Sequence, residues 1–273
     1  MDKEIRNFIL VIVIAVAIMS GAYFGIEHAS GVDPTYTTVE SQSMQHSNSS
    51  QIGIIDTGDM VLLKNKEYVT IQSYVEGYIS GYSHFGEYGD VIIYDRGSAM
   101  NPVIHRAILW LDYNGDGTWS APSLENYPSN LWSCTNGTDY NNLSGTFTMY
   151  DVGYSSKTVS IILSSLEETS GYLTMGDNKA NYTFDQNGVS GAIGQLITSE
   201  RINSVAWIEI PFAGVFNMVF HGKINVINTQ VPNAIPCITM IFLTIIFSFI
   251  ALNFYMDYRE YGKYYKEKTR TTK

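Results

Sequence analysis

The chain has 273 residues, a formal net charge of −10 at pH 7, 13% aromatic residues and only 15% charged ones. The acidic balance argues against a nucleic-acid partner, because phosphate binding needs clustered Lys and Arg. The aromatic content excludes a disordered chain, and about 200 residues outside the two most apolar segments suffice for a buried core.

Residues 1–7 lead into an apolar segment, residues 8–26, with no charged side chain and length enough to cross a hydrocarbon core of roughly 30 Å as a helix. Its run exceeds the roughly 7–15 apolar residues of a cleaved signal peptide, so it reads as an uncleaved anchor. Residues 235–255 form a second uncharged segment. Beyond it, residues 256–273 carry Arg259, Lys263, Lys266, Lys268, Arg270 and Lys273, while Lys3 and Arg6 precede the first segment. Basic residues stay on the cytoplasmic face. That predicts both termini in the cytoplasm, two spans of the cell membrane, and residues 27–232 outside it. A lipid membrane is then a partner.

The ectodomain is predicted to be mainly β. Short apolar runs at Met60–Leu63, Val91–Tyr94, Val103–Leu111, Thr146–Met149, Val159–Leu163, Val205–Ile210 and Lys223–Val226 alternate with Gly, Asp and Asn, as strands do. No stretch carries a sustained 3.6-residue stripe. Tyr74–Tyr88, aromatic and glycine-rich, fits a surface hairpin or binding rim, and Asn114–Gly145 an excursion from the sheet. Cys134 lies in the ectodomain and Cys237 in the second span, which leaves no disulfide framework. Four N-glycosylation tripeptides begin at Asn48, Asn136, Asn142 and Asn181.

Three groups of residues suggest chemistry. In an extended segment Ser41 and Ser43 present both hydroxyls to one side, although Ser41–Gln51 also reads as a polar linker. A serine needs a base. His105, in a strand where it shares a face with Val103, Ala107 and Leu109, must find a hydrogen-bond partner; a satisfied core histidine is the plainer alternative. Asp177 in Gly176-Asp177-Asn178, or Asp185 beyond it, could orient an imidazole, though Gly-Asp-Asn is equally a turn. Separately, Asp112-Tyr113-Asn114-Gly115-Asp116-Gly117 holds the first ligand positions of a calcium loop in Asp112, Asn114 and Asp116. Ser123 stands where a bidentate Glu is expected, and the same residues suit a hairpin turn.

In sequence order, Ser41-Gln42-Ser43-Met44, Gly58-Asp59-Met60-Val61, Gly89-Asp90-Val91-Ile92-Ile93 leading to His105-Arg106, and Gly176-Asp177-Asn178 with Asp185 resemble type I signal peptidases of the archaeal and endoplasmic-reticulum kind. The match spans about Val39 to Asp185, and Ile210-Pro211-Phe212-Ala213-Gly214 adds weaker support. The resemblance implies a membrane-anchored, mainly β fold: a signal-peptidase-like catalytic ectodomain flanked by two transmembrane helices. It implies a serine endopeptidase that removes signal peptides from secretory preproteins through an acyl-enzyme, without a cofactor, with the protein-translocation machinery as a further partner. Ser43 is then the nucleophile, His105 the general base, and Asp177 or Asp185 the orienting carboxylate. The Ser41 hydroxyl and the Ser43 backbone N–H become the oxyanion donors. Two departures stand out: His46 occupies a position where the family usually has proline, and the Asp177–Asp185 spacing is longer than its pattern. A non-enzymatic surface receptor or adhesin is the rival. It explains the Tyr-rich composition and the anchors, but not the order of the motifs.

Overall fold

The computed structural model describes residues 3–96, 101–188 and 192–271. A long helix, α1 (Lys3–Ser30), leads to strands β1 (Tyr36–Thr38) and β2 (Met60–Lys64). A short helix α2 (Tyr74–Ser80) precedes the hairpin β3 (Ser83–His84) and β4 (Glu87–Tyr88), followed by β5 (Val91–Tyr94) and β6 (Val103–Tyr113). Then come β7 (Trp119–Ser120), β8 (Trp132–Cys134), β9 (Thr146–Val152), β10 (Lys157–Ile162), β11 (Gly171–Met175) and β12 (Ile202–Ile210). Helices α3 (Ala213–Phe220), α4 (Ile224–Gln230) and α5 (Ala234–Thr271) close the chain.

The strands form an antiparallel sheet in the order β1-β2-β12-β5-β6-β11, with β7 paired to the end of β6. A smaller sheet, β10-β9-β8, shows the alternation of a one-sided strand set and buries Phe147, Met149, Val159 and Ile161. These pack with Ile108, Leu109, Leu111 and Phe184 into one core. A second core under β1, β2 and β5 contains Val61, Leu63, Val91 and Ile93. It also takes in Met44, which is 1% exposed and pins the chain immediately after Ser43.

Three expectations need correcting. Lys223–Val226 is not a strand: Lys223 precedes α4, whose Ile227, with Val231 just past its end, packs against Val215 and Met218 of α3. Four residues are too few to tell a period of 2 from one of 3.6. Tyr74–Tyr88 is half helix and half hairpin. Its helix starts with a capping box in which the Ser73 hydroxyl accepts from the Glu76 N–H and the Glu76 carboxylate accepts from the Ser73 N–H. Finally, Leu109 leaves the face of His105, because a bulge between the Ala107–Thr174 and Leu109–Leu173 pairs reverses the alternation.

The helices at the two ends hold apolar stretches, Ile9–Ser30 and Ala234–Arg259, with mean hydropathies of 2.6 and 2.5. Both are long and apolar enough to cross a membrane. Each runs past the predicted segment, α1 as far as Ser30 and α5 through the basic residues to Thr271.

Candidate active site

β6 places His105 opposite Ile92 of β5, one residue before the strand begins to pair with β11 at Arg106. The imidazole is 3% exposed and its Nδ1 lies 2.7 Å from Asp185 Oδ2. Asp185, itself 1% exposed, follows the buried Phe184 and starts a turn in which the Gly188 N–H donates to its carbonyl. The Tyr94 and Thr174 hydroxyls also donate to Asp185 Oδ2, each at 2.7 Å. Burial, and then the charge of Asp185, push the Tyr94 hydroxyl far above its ordinary range, so it remains a donor. A carboxylate held this way fixes the tautomer with a proton on Nδ1 and leaves Nε2 as an acceptor.

Asp177 does something else. Arg106 Nε lies 2.9 Å from its Oδ1 and the Arg106 Nη2 2.5 Å from its Oδ2, both side chains being buried. The other terminal nitrogen, Nη1, donates to the carbonyls of His84, Tyr88 and Gly89, and so ties the β3–β4 hairpin to the sheet. Burial, the largest single influence, would raise the Asp177 carboxyl, but the charge and hydrogen bonds of Arg106 together with those of His46 outweigh it and hold the group well below the usual carboxylate range. Asp185, not Asp177, is therefore the partner of His105. The long spacing arises because Asp177 belongs to a buried ion pair and Asp185 to the next turn.

The Gly176–Asn181 loop holds the segment carrying Ser43. The Asn178 N–H and Asn181 Nδ2 donate to the Ser43 carbonyl at 2.9 and 3.0 Å, and Asn178 Nδ2 donates to that of Gln42 at 2.8 Å. Gly176 is required by close approach: a Cβ there would stand 2.5 Å from the Ser43 oxygen and 3.1 Å from His105 Nε2. Lys157 secures this loop from β10, its ammonium donating to the carbonyls of Gly176, Asp177 and Asn178 at 2.9–3.1 Å. Burial draws that lysine down to about 8. His46 stacks on Tyr154 with centroids 4.0 Å apart, and its Nε2 lies 3.9 Å from Asp177 Oδ2.

Ser43 lies in a turn closed by the Gln45 N–H on the Gln42 carbonyl, rather than in the extended segment expected. The two hydroxyls are nevertheless adjacent, with Ser41 Oγ 3.3 Å from Ser43 Oγ. Among the described residues no acceptor takes the Ser43 N–H, and no hydrogen bond joins Ser43 Oγ to His105. Ser41, Ser43 and His105 line one cleft of about 1060 Å³. One wall is β1, which among the described residues has no strand beyond it; the other is the start of β6, which precedes the pairing with β11.

No family model and no curated protein matches this chain.

The residues of the calcium expectation are engaged with their own neighbours. Asp112 Oδ1 accepts from Trp110 Nε1, Asp116 Oδ1 accepts from the Thr118 N–H and hydroxyl, and Asn114 Nδ2 donates to Thr118 Oγ1. The segment is the end of β6 and the turn that leads into β7. No three acidic, His or Cys side chains among the described residues are placed to hold an ion. Sequence reasoning also missed Tyr94, Thr174, Lys157 and Asn181. Lys157 left a signal: in Lys157-x-Val159-x-Ile161 the lysine occupies an inward position of the strand.

Proposed function

We propose that the protein is a membrane-bound serine endopeptidase of the type I signal-peptidase kind. The observation that carries this reading is the His105–Asp185 contact at 2.7 Å, with His105 on the same cleft as the Ser41–Ser43 pair. In the proposed reaction Ser43 Oγ turns from Ser41 toward His105 Nε2, gives up its proton to that nitrogen, and attacks the scissile carbonyl. Asp185 stabilises the resulting imidazolium. The developing oxyanion is received by the Ser43 N–H and the Ser41 hydroxyl. His105 then protonates the leaving amine, and water hydrolyses the acyl-enzyme.

The edge strand β1 and the start of β6, which pairs with β5 but not yet with β11, line one cleft, which suits an extended peptide that adds its main chain to a sheet edge. The proposed substrate is a secretory preprotein, cut after its apolar segment at a small-residue site. Confinement of enzyme and substrate to one bilayer raises their encounter. Both termini lie in the cytoplasm in this reading, and the translocation machinery is the natural neighbour.

Full-length protein in liposomes, given a preprotein with its signal peptide intact, tests the proposal. Wild type should release the mature chain, and Ser43→Ala and His105→Ala, still folded, should not. Cleavage by Ser43→Ala at the wild-type rate would refute the assignment and leave a binding cleft without chemistry.

A further inference from the structure

We infer that the hairpin α3–α4 is submerged in the outer interface of the lipid bilayer, alongside α5, rather than standing in water above it. This rests on the reading that α5 crosses the membrane. Within the hairpin, Val215 and Met218 face inward against Ile227 and Val231. The large apolar side chains left over point away from the protein: Phe220 is 88% exposed, Phe216 47%, Ile224 45% and Val219 40%. So dense an apolar rim marks a surface with an apolar occupant.

The depth of the hairpin identifies that occupant. The Phe216 ring meets the Phe242 ring of α5 edge-on, with centroids 6.3 Å apart. Phe242 lies eight residues past Ala234, about 12 Å along the helix at about 1.5 Å per residue. The apolar stretch Ala234–Arg259 is 26 residues long, about 39 Å, against a hydrocarbon core of roughly 30 Å. Whichever 30 Å of that stretch fills the core, Phe242 lies inside it on the α3 side. Phe216 is then at acyl-chain depth, in keeping with the roughly 5–10 Å at which interfacial helices seat their apolar faces.

Three polar residues of the hairpin, Lys223, Asn217 and Gln230, turn the other way. Lys223 pairs with Glu40 at 2.5 Å, and Asn217 lines the cleft that holds Ser41 and Ser43. Gln230 receives the Gln45 amide on its carbonyl, and its side-chain oxygen accepts from the Thr57 hydroxyl. The lipid-seated rim is thus bonded directly to the segment carrying Ser43, and the cleft opens at head-group level.

Site-directed nitroxide labelling of the full chain in phosphatidylcholine nanodiscs tests this. In a Cys134→Ser, Cys237→Ser background, labels at Phe220→Cys and Val219→Cys are compared with Phe247→Cys on α5 and Asp116→Cys on the β6–β7 turn. The expected result is loss of nickel-chelate broadening with high oxygen access at 219 and 220, as at 247, and strong nickel broadening at 116. Nickel access at 219 and 220 with 247 still protected would put the hairpin in water and overturn the inference. Protection from both oxygen and nickel would mean a protein occupant, such as a second copy, and would overturn it as well. Nickel access at 247 would instead defeat the spanning reading of α5, and the inference with it. The exposed positions 219 and 220 serve as independent reporters should one label disturb the fold.

Discussion

Asp185 and Asp177 are separated by eight residues and by entirely different surroundings. Asp185→Asn would present an amide to His105 and favour the wrong tautomer, so cleavage should fall by roughly 10³–10⁴-fold with little change in melting. Asp177→Asn should do the reverse in kind. It leaves the Arg106 charge buried without its carboxylate, which costs about 3–5 kcal/mol and should appear as a large drop in the denaturation midpoint. A second group of carboxyls sets a pH dependence. Burial raises Asp59 to about 8, Asp56 to about 6 and Glu209 to about 7. From the ordinary carboxylate range up to those values the folded protein binds more protons than the unfolded chain, so stability should fall as pH rises from about 4 to about 8. Glu209→Gln removes one of these ionisations. Its melting temperature should exceed that of wild type at pH 8 and converge with it near pH 5, measured by thermal denaturation at both values.

At the level of elements, β6 was legible because an eleven-residue strand carries a strong apolar pattern, and its His105 was legible because that pattern made the imidazole conspicuous. The bulge at Ile108 was not, since an extra residue in one strand is decided by its neighbours rather than by its own sequence. Likewise the Ser43 turn hid behind a polar composition that resembles a linker, because what fixes it comes from Asn178, Asn181 and Met44. The small sheet β8–β10 was read only in part, as strands without a purpose. Its purpose at the site is Lys157. Lys157→Met should keep the fold, judged by circular dichroism, yet lower cleavage by roughly 10²-fold through slack in the Gly176–Asn181 loop. An unchanged rate would mean that Arg106 and the two asparagines hold the loop unaided.

For the molecule as a whole, the β-rich architecture and the two apolar helices were the most accessible features, because composition and run length report them directly. The carboxylate partner of His105 was not, because it required knowing which aspartate Arg106 takes. The Ser43 segment is also tied to the far end of the chain: Gln45 donates to Gln230, and Ser50 and Asn233 exchange hydrogen bonds in both directions. These contacts cross more than 180 residues of sequence. A ribosome makes the serine early and its clamps late, so a nascent chain exposes Ser43 long before anything can aim it. By this ordering, the segment carrying Ser43 takes its final shape only once Asn233, at the foot of α5, has been made.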